Sequence, residues 1–245
     1  MSNILHLPAD ASDQAIAYLR WISANKHRAI ALGFPELSGY LADVMPGHIA
    51  MIQGQTHMGK TLVLNHIARF NLDRMAKEKQ TDGKRVIPYI SIEENLQEMT
   101  LKELSWRYNL PMEKLSRADV DLDDVAVKAG KLVREFPLVR IAADMMDGSS
   151  PPMPLSVIHK SLQELTGMGK EIVAIIVDYL HALPLDPDNK RMRSLGSDGQ
   201  RKMQVRDDVY RLREMGNEFR CPIFVGGQCK AVLEHSPGRG ISIAD

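Results

Sequence analysis

The chain of 245 residues is 44% hydrophobic and 25% charged, an ordinary profile for one large folded domain or at most two small ones. Lys plus Arg and Asp plus Glu number 31 each, a formal net charge of zero; this excludes a globally basic nucleic-acid binder and confines any such site to a local patch. The amino terminus, MSNILHLPADASDQ, lacks a basic start followed by an apolar run, and the longest aliphatic stretch, IVAIIV (172–177), is far too short to span a bilayer.

Ala15, Ile16, Leu19 and Ile22 at helical spacing predict a helix within 11–30, starting at Ser12 or Asp13. Gly and Pro in GFPELSGYLADVMPG (33–47) end that pattern before a short apolar strand, HIAMIQG (48–54). TLVLNHIARFNLDRMAKEK (61–79) reads as a helix that stops near Asp82-Gly83. RVIPYIS (85–91) is a strand, Leu96 to about Glu135 is mostly helical, and PLVRIAA (137–143) is a third strand. After the loop DGSSPPMP (147–154) come the helix LSVIHKSLQELTGMG (155–169) and the buried strand EIVAIIVDYL (171–180). A polar loop (184–200), a charged helix (about 201–219) and the strand PIFVGGQ (222–228) complete the order. Apolar strands alternating with helices define an α/β class with a mainly parallel central sheet flanked by helices.

GQTHMGKT (54–61) matches G-x-x-x-x-G-K-[ST] through Gly54, Gly59, Lys60 and Thr61, with Gln55, Thr56, His57 and Met58 between them. Glycines there let backbone N–H groups approach phosphate oxygens, and the helix that follows adds its positive end. Lys60 is expected to bridge β- and γ-phosphates, and the Thr61 hydroxyl to bind Mg²⁺. The required context, a strand before and an amphipathic helix after, is present. A second G-K, in TGMGKE (166–171), is a decoy, with Glu164 where the first Gly belongs and Glu171 in place of the hydroxyl residue.

Asp178 closes the run IVAIIVD, and a carboxylate at the carboxyl end of a buried parallel strand stands at the ligand mouth of such sheets. Its expected role is to orient Mg²⁺. SIEEN (91–95) puts Glu93 and Glu94 at another strand end; either could polarise an attacking water, and periodicity does not choose between them. Gln228, ending PIFVGGQ, offers an amide to a γ-phosphate. GGQ does not read as a transporter signature, which lies upstream of the metal-binding Asp. Neither NKHR (25–28) nor NKRM (189–192) carries the Asp of a GTPase base-reading motif.

DVDLDD (119–124) fails as a calcium loop, with Asp124 at its sixth position and Gly130 at its twelfth, and reads as acids at a helix start. Cys221 and Cys229, flanking PIFVGGQ, stand too far apart along a strand to bridge. With no CxxC pair and eight histidines scattered without ligand spacing, the expected compartment is the reducing cytoplasm. The stretch 190–206, with Arg191, Arg193, Arg201 and Lys202, is rich in basic residues; it fits a loop tracking a phosphate backbone and equally a solvated loop entering a helix.

With these motifs in order, the chain resembles the RecA-like ATPase core of DnaB-type replicative helicases. The resemblance rests on GFPEL (33–37), the phosphate loop, SIE (91–93), VDYL (177–180) and GGQ (226–228), and it covers about 30 to 245. It implies a RecA-like P-loop NTPase with a linker-like helix over 1–30 and a core over 31–245, incomplete at its C-terminus. It implies Glu93 as the catalytic glutamate, Asp178 as the Mg²⁺-orienting acid and Gln228 as the γ-phosphate sensor. It also places the Gln228 strand between the Lys60 and Asp178 strands. ATP and Mg²⁺ are the implied cofactors, single-stranded DNA the implied substrate, and a homo-oligomeric, hexameric ring the implied assembly, with no membrane partner. Gly227 departs from the family's Ser, and the chain ends at GISIAD, before the family's arginine finger; ATP binding with weak hydrolysis follows as an expectation. The other readings are an ATP-gated assembly protein that never unwinds DNA and, ranked last, a small-molecule kinase with 190–206 as its lid.

Overall fold

A computed structural model of the chain describes residues 8–37, 39–78, 84–92, 94–135, 138–142, 153–184 and 197–228; of these, the side chains of 8–11, 133–135 and 197–202 lie outside the description. The elements run α1 (Pro8–Asn25), β1 (Ile49–Gly54), α2 (Lys60–Lys77), β2 (Arg85–Ser91) and α3 (Leu96–Tyr108), then α4 (Met112–Ser116), α5 (Leu122–Glu135) and β3 (Leu138–Ile141). They continue with α6 (Leu155–Gly167), β4 (Glu171–Ile172), β5 (Ile175–Asp178), α7 (Ser197–Glu218) and β6 (Ile223–Gln228). Short 3-10 turns at Lys26–Arg28, Pro35–Leu37 and Leu180–Ala182 join them.

The six strands form one parallel sheet in the order β1-β6-β5-β2-β3, with β4 pairing β2. The expected placement of the Gln228 strand between the Lys60 and Asp178 strands is therefore observed. Alternate residues of the central strands feed two cores, because a parallel sheet is covered on both faces. Ile87, Tyr89, Ile176 and Phe224 pack with Leu64, Ile67 and Leu104 of α2 and α3. Val86, Ile90, Ile175, Val177 and Val225 pack with Ile158 and Leu162 of α6 and Leu212 of α7.

Three boundaries differ from the sequence reading. The single strand expected over 171–180 is two strands. Val86 pairs with Ile172, whereas Tyr89 pairs with Ile176, so one extra residue is taken up opposite Pro88. Pro88 has no N–H to offer the ladder, and bulges occur where a ladder donor is missing. Val173 still donates to Val86 O at 3.0 Å, Ile175 donates to Pro222 O on the β6 side at 3.1 Å, and pairing with β2 resumes at Ile176. The helical stretch after Leu96 is three helices: Asn109 in the left-handed region (φ 51) ends α3, and Pro111 precedes α4. Third, the expected N-terminal helix is displaced toward the chain start, and Ala29 and Ile30 are already buried, with Ile30 bridging Val44.

Asp121 accepts from the backbone N–H groups of Asp123 (3.0 Å) and Asp124 (3.2 Å), so DVDLDD is a helix start, as read. Gly169 forms a left-handed turn (φ 75) leading into β4, so the second G-K precedes a strand instead of a helix. Burial pushes the Cys221 thiol up to about 12, against a smaller opposing influence of Arg28; Cys229 lies outside the described residues. Among the described residues, no helix is long and apolar enough to cross a membrane.

Candidate functional site: a phosphate-loop cleft at the carboxyl ends of the strands

β1 delivers the chain into the turn 55–59, and α2 leaves it without a side-chain cap at Gly59. The N–H groups of the first helical turn therefore have no partner of their own and face whatever anion enters. Gly59 sits at φ 79 with open space around an added Cβ, so backbone conformation is what demands glycine there. At Gly54 a Cβ would meet Met58 Cβ at 3.5 Å and Lys60 Cγ at 3.6 Å, ordinary contacts. His57 holds φ 63, which tightens the turn further. Lys60 Nζ donates to Gly54 O at 3.1 Å and Gln55 O at 2.8 Å. The ammonium thus rests over the start of the loop.

Asp178 ends β5 on the same face as Ile176 and is buried. Its Oδ2 accepts from Tyr89 OH, one strand away on β2, at 2.9 Å. Gly226 of β6 lets Asp178 and Tyr179 pack closely against that strand: a Cβ there would meet Tyr179 Cβ at 3.0 Å and Asp178 Oδ1 at 3.2 Å. Gly227, where the resembled family has Ser, faces Gln53 Cγ at 3.1 Å and Met51 Sδ at 3.3 Å, so these two side chains occupy the hydroxymethyl's room. Gln228 lies opposite Gly54 in the ladder, and its Nε2 donates to Thr56 Oγ1 at 2.7 Å.

These parts line one cleft of about 660 Å³, which holds Thr56, His57, Gly59, Lys60 and Thr61 at one end with Asp178 and Gln228 beside them. The volume suits a nucleotide-sized ligand. Of the two candidate acids, Glu94 lines the cleft and is paired with Lys102 Nζ at 2.5 Å; Glu93 lies outside the described residues, as do Arg191 and Arg193. Arg201 and Lys202 belong to α7, but their side chains lie outside the description.

Sequence reading missed the far wall of the cleft. Asn65 and Arg69 come from α2, Lys102 and Trp106 from α3, and Met112 from α4. Arg69 makes a forked pair with the buried Glu103 at 2.9 to 3.3 Å, and its guanidinium lies 4.3 Å from the Trp106 ring centre. No motif marks these residues, although Arg69 and Glu103 are charges placed among helical core positions, and that was the available signal.

Tyr89 was missed too. Burial first, then the charge and hydrogen bond of Asp178, hold its hydroxyl well above the usual tyrosine range. An unfolded Tyr loses its proton near pH 10, whereas Tyr89 in the folded chain keeps it. The folded state then binds more protons, so stability is expected to fall as pH rises above about 10. Tyr89→Phe should cost about 1–3 kcal/mol at neutral pH, because Asp178 loses a buried donor, and should flatten that alkaline decline. Urea unfolding of both chains from pH 8 to 11 checks this; parallel declines would contradict it.

Strand order, a phosphate-loop turn between β1 and α2, and an acid at the tip of β5 define a RecA-like α/β domain. Comparison with known proteins narrows the class. The chain belongs to the DnaB-like helicase C terminal domain family, whose model matches residues 29–240. A solved DnaB-like replicative helicase, described with its interactions with primase, matches with a TM-score of 0.56 at 18% identity, over 82% of this chain and 43% of that one. That likeness shows the fold, and the chain spans less than half of that protein's length. No curated protein matches the chain.

Proposed function

We propose that this chain is the ATP-hydrolysing motor core of a DnaB-like helicase, acting on single-stranded DNA as part of a homo-oligomeric, hexameric ring. One observation carries the reading: Lys60, Thr61, Asp178 and Gln228, from three adjacent strands and their loops, meet in a single nucleotide-sized cleft. Backbone N–H groups of 55–61 would hold the phosphates, with Lys60 on the outer pair. Glu93 would place and deprotonate the attacking water.

A hydroxyl and a carboxylate on one cleft wall are the hard oxygen donors that Mg²⁺ takes, with water and phosphate filling its other positions. Thr61 and Asp178 fit that set, and Tyr89 OH keeps the carboxylate oriented. The bound ion would neutralise charge on the phosphates. Residues 1–30 would act as a linker-like segment and 31–245 as the core; the exposed Ile16 and Leu19 on α1 support docking on another surface.

The test is ATP hydrolysis with and without a single-stranded oligonucleotide. Stimulated turnover supports the motor. Tight ATP binding with turnover indifferent to DNA supports the second reading, an ATP-gated assembly protein, which the zero net charge favours. If the stretch 190–206 tracks DNA, replacing Arg201 and Lys202 by alanine should weaken binding and reduce the log–log salt slope by about 1.4, at roughly 0.7 per phosphate contact. An unchanged slope would clear these two residues.

A further inference from the structure

Gln228 is tied at two points. Its backbone N–H donates to His181 Nδ1 at 3.3 Å, and its side-chain amide donates to Thr56 Oγ1 at 2.7 Å. His181 sits in the 3-10 turn that follows Asp178, so one residue joins the turn behind the acid to the apex of the phosphate loop. A backbone N–H can only donate, so His181 accepts here through Nδ1.

The direction of the second bond matters most. A threonine hydroxyl has one proton and two lone pairs. With a Gln228 N–H filling one lone pair, the hydroxyl proton is left to point away from the amide, and each bond in such a chain strengthens the next. Thr56 lines the cleft together with Lys60 and Gln228. Lys60 Nζ, the group that reaches outer phosphates, lies over Gly54 O and Gln55 O, immediately before Thr56. The uncapped N–H groups that take inner phosphates are at the other end of the loop, at the head of α2.

We infer that the Thr56 hydroxyl donates to the terminal phosphate of a bound nucleoside triphosphate, aimed by Gln228 and, behind it, by the positioning residue His181. This relay sets the preference for triphosphate over diphosphate, and it rests on the nucleotide reading above. A diphosphate leaves the relay without a partner and gains nothing from it.

The experiment compares binding of a labelled non-hydrolysable ATP analogue and labelled ADP, with Mg²⁺, to the full chain. Thr56→Val should weaken the triphosphate by roughly ten- to a hundredfold, the value of one hydrogen bond to a charged group, and leave ADP unchanged. Thr56→Ser should restore the preference. Gln228→Ala should lose it too, and the double variant should be no worse than the poorer single one, since both act through one chain. His181→Phe should reduce the preference and His181→Asn, which keeps an acceptor, should recover it. Equal losses for both nucleotides, or additive losses in the double variant, overturn the relay while leaving nucleotide binding intact. A wild-type chain that binds neither nucleotide overturns the nucleotide reading and the relay together.

Discussion

Lys60→Ala is expected to abolish ATP-analogue binding at micromolar concentrations and to remove hydrolysis, with the fold unchanged. Among the described residues, Nζ bonds to two loop carbonyls, Gly54 O and Gln55 O. Its removal therefore orphans no buried donor, and alanine is a good helical residue at this position. In the bound state the same ammonium would face several phosphate oxygens through charge-assisted bonds, each worth about 1.5–3 kcal/mol. Two such bonds amount to a loss of roughly two to four orders of magnitude in affinity. Lys60→Arg should not rescue, because a planar fork cannot replace a compact point charge in a closed loop. Calorimetric titration together with a urea midpoint checks both halves; retained affinity would remove the phosphate-loop reading.

Glu103→Ala is expected to give the largest loss of stability, about 3–5 kcal/mol, the cost of leaving a buried ion pair half-made. Glu103 is 3% exposed and takes both Nε and Nη2 of Arg69. It also serves a second cation. Burial lowers the Arg140 guanidinium from its ordinary range; Glu103 opposes that shift and Arg69 adds to it. Arg140 Nε and Nη2 are buried without a hydrogen-bond partner among the described residues, so removing Glu103 takes away the carboxylate that offsets the charge of both guanidinium groups. The urea midpoint should fall with an unchanged slope. Nucleotide affinity should fall as well, since Arg69 and the Trp106 it underlies line the cleft. The paired change Arg69→Met with Glu103→Leu should be milder than Glu103→Ala alone, because the guanidinium that Glu103 pairs leaves with it and Arg140 is the one buried cation that loses its neighbouring carboxylate. A single-variant loss below about 1 kcal/mol would place the pair among solvated surface bridges.

The amino-acid sequence by itself determined the alternation of strand and helix, the phosphate-loop turn and the residues at the strand tips. These depend on neighbours a few positions apart: the apolar run ending at Asp178, the Gly-Lys-Thr junction at 59–61, the glycines at 226 and 227. RVIPYIS is a strand over its full predicted length for the same reason. Resemblance to a family supplied the position of the Gln228 strand in the sheet, which no local pattern contains.

Only the tertiary structure decided which side chains meet across the sheet. Tyr89 and Asp178 are 89 positions apart, Gln228 and Thr56 are 172 apart, and Arg69 and Glu103 are 34 apart. Each pairing follows from strand order and helix packing, to which local propensity is blind. The split of 171–180 into β4 and β5 is of the same kind. The run itself reads as one strand, and its interruption comes from a proline on the neighbouring strand. Hydrophobic periodicity sets which face of an element is buried; the partner it is buried against is chosen by the whole chain.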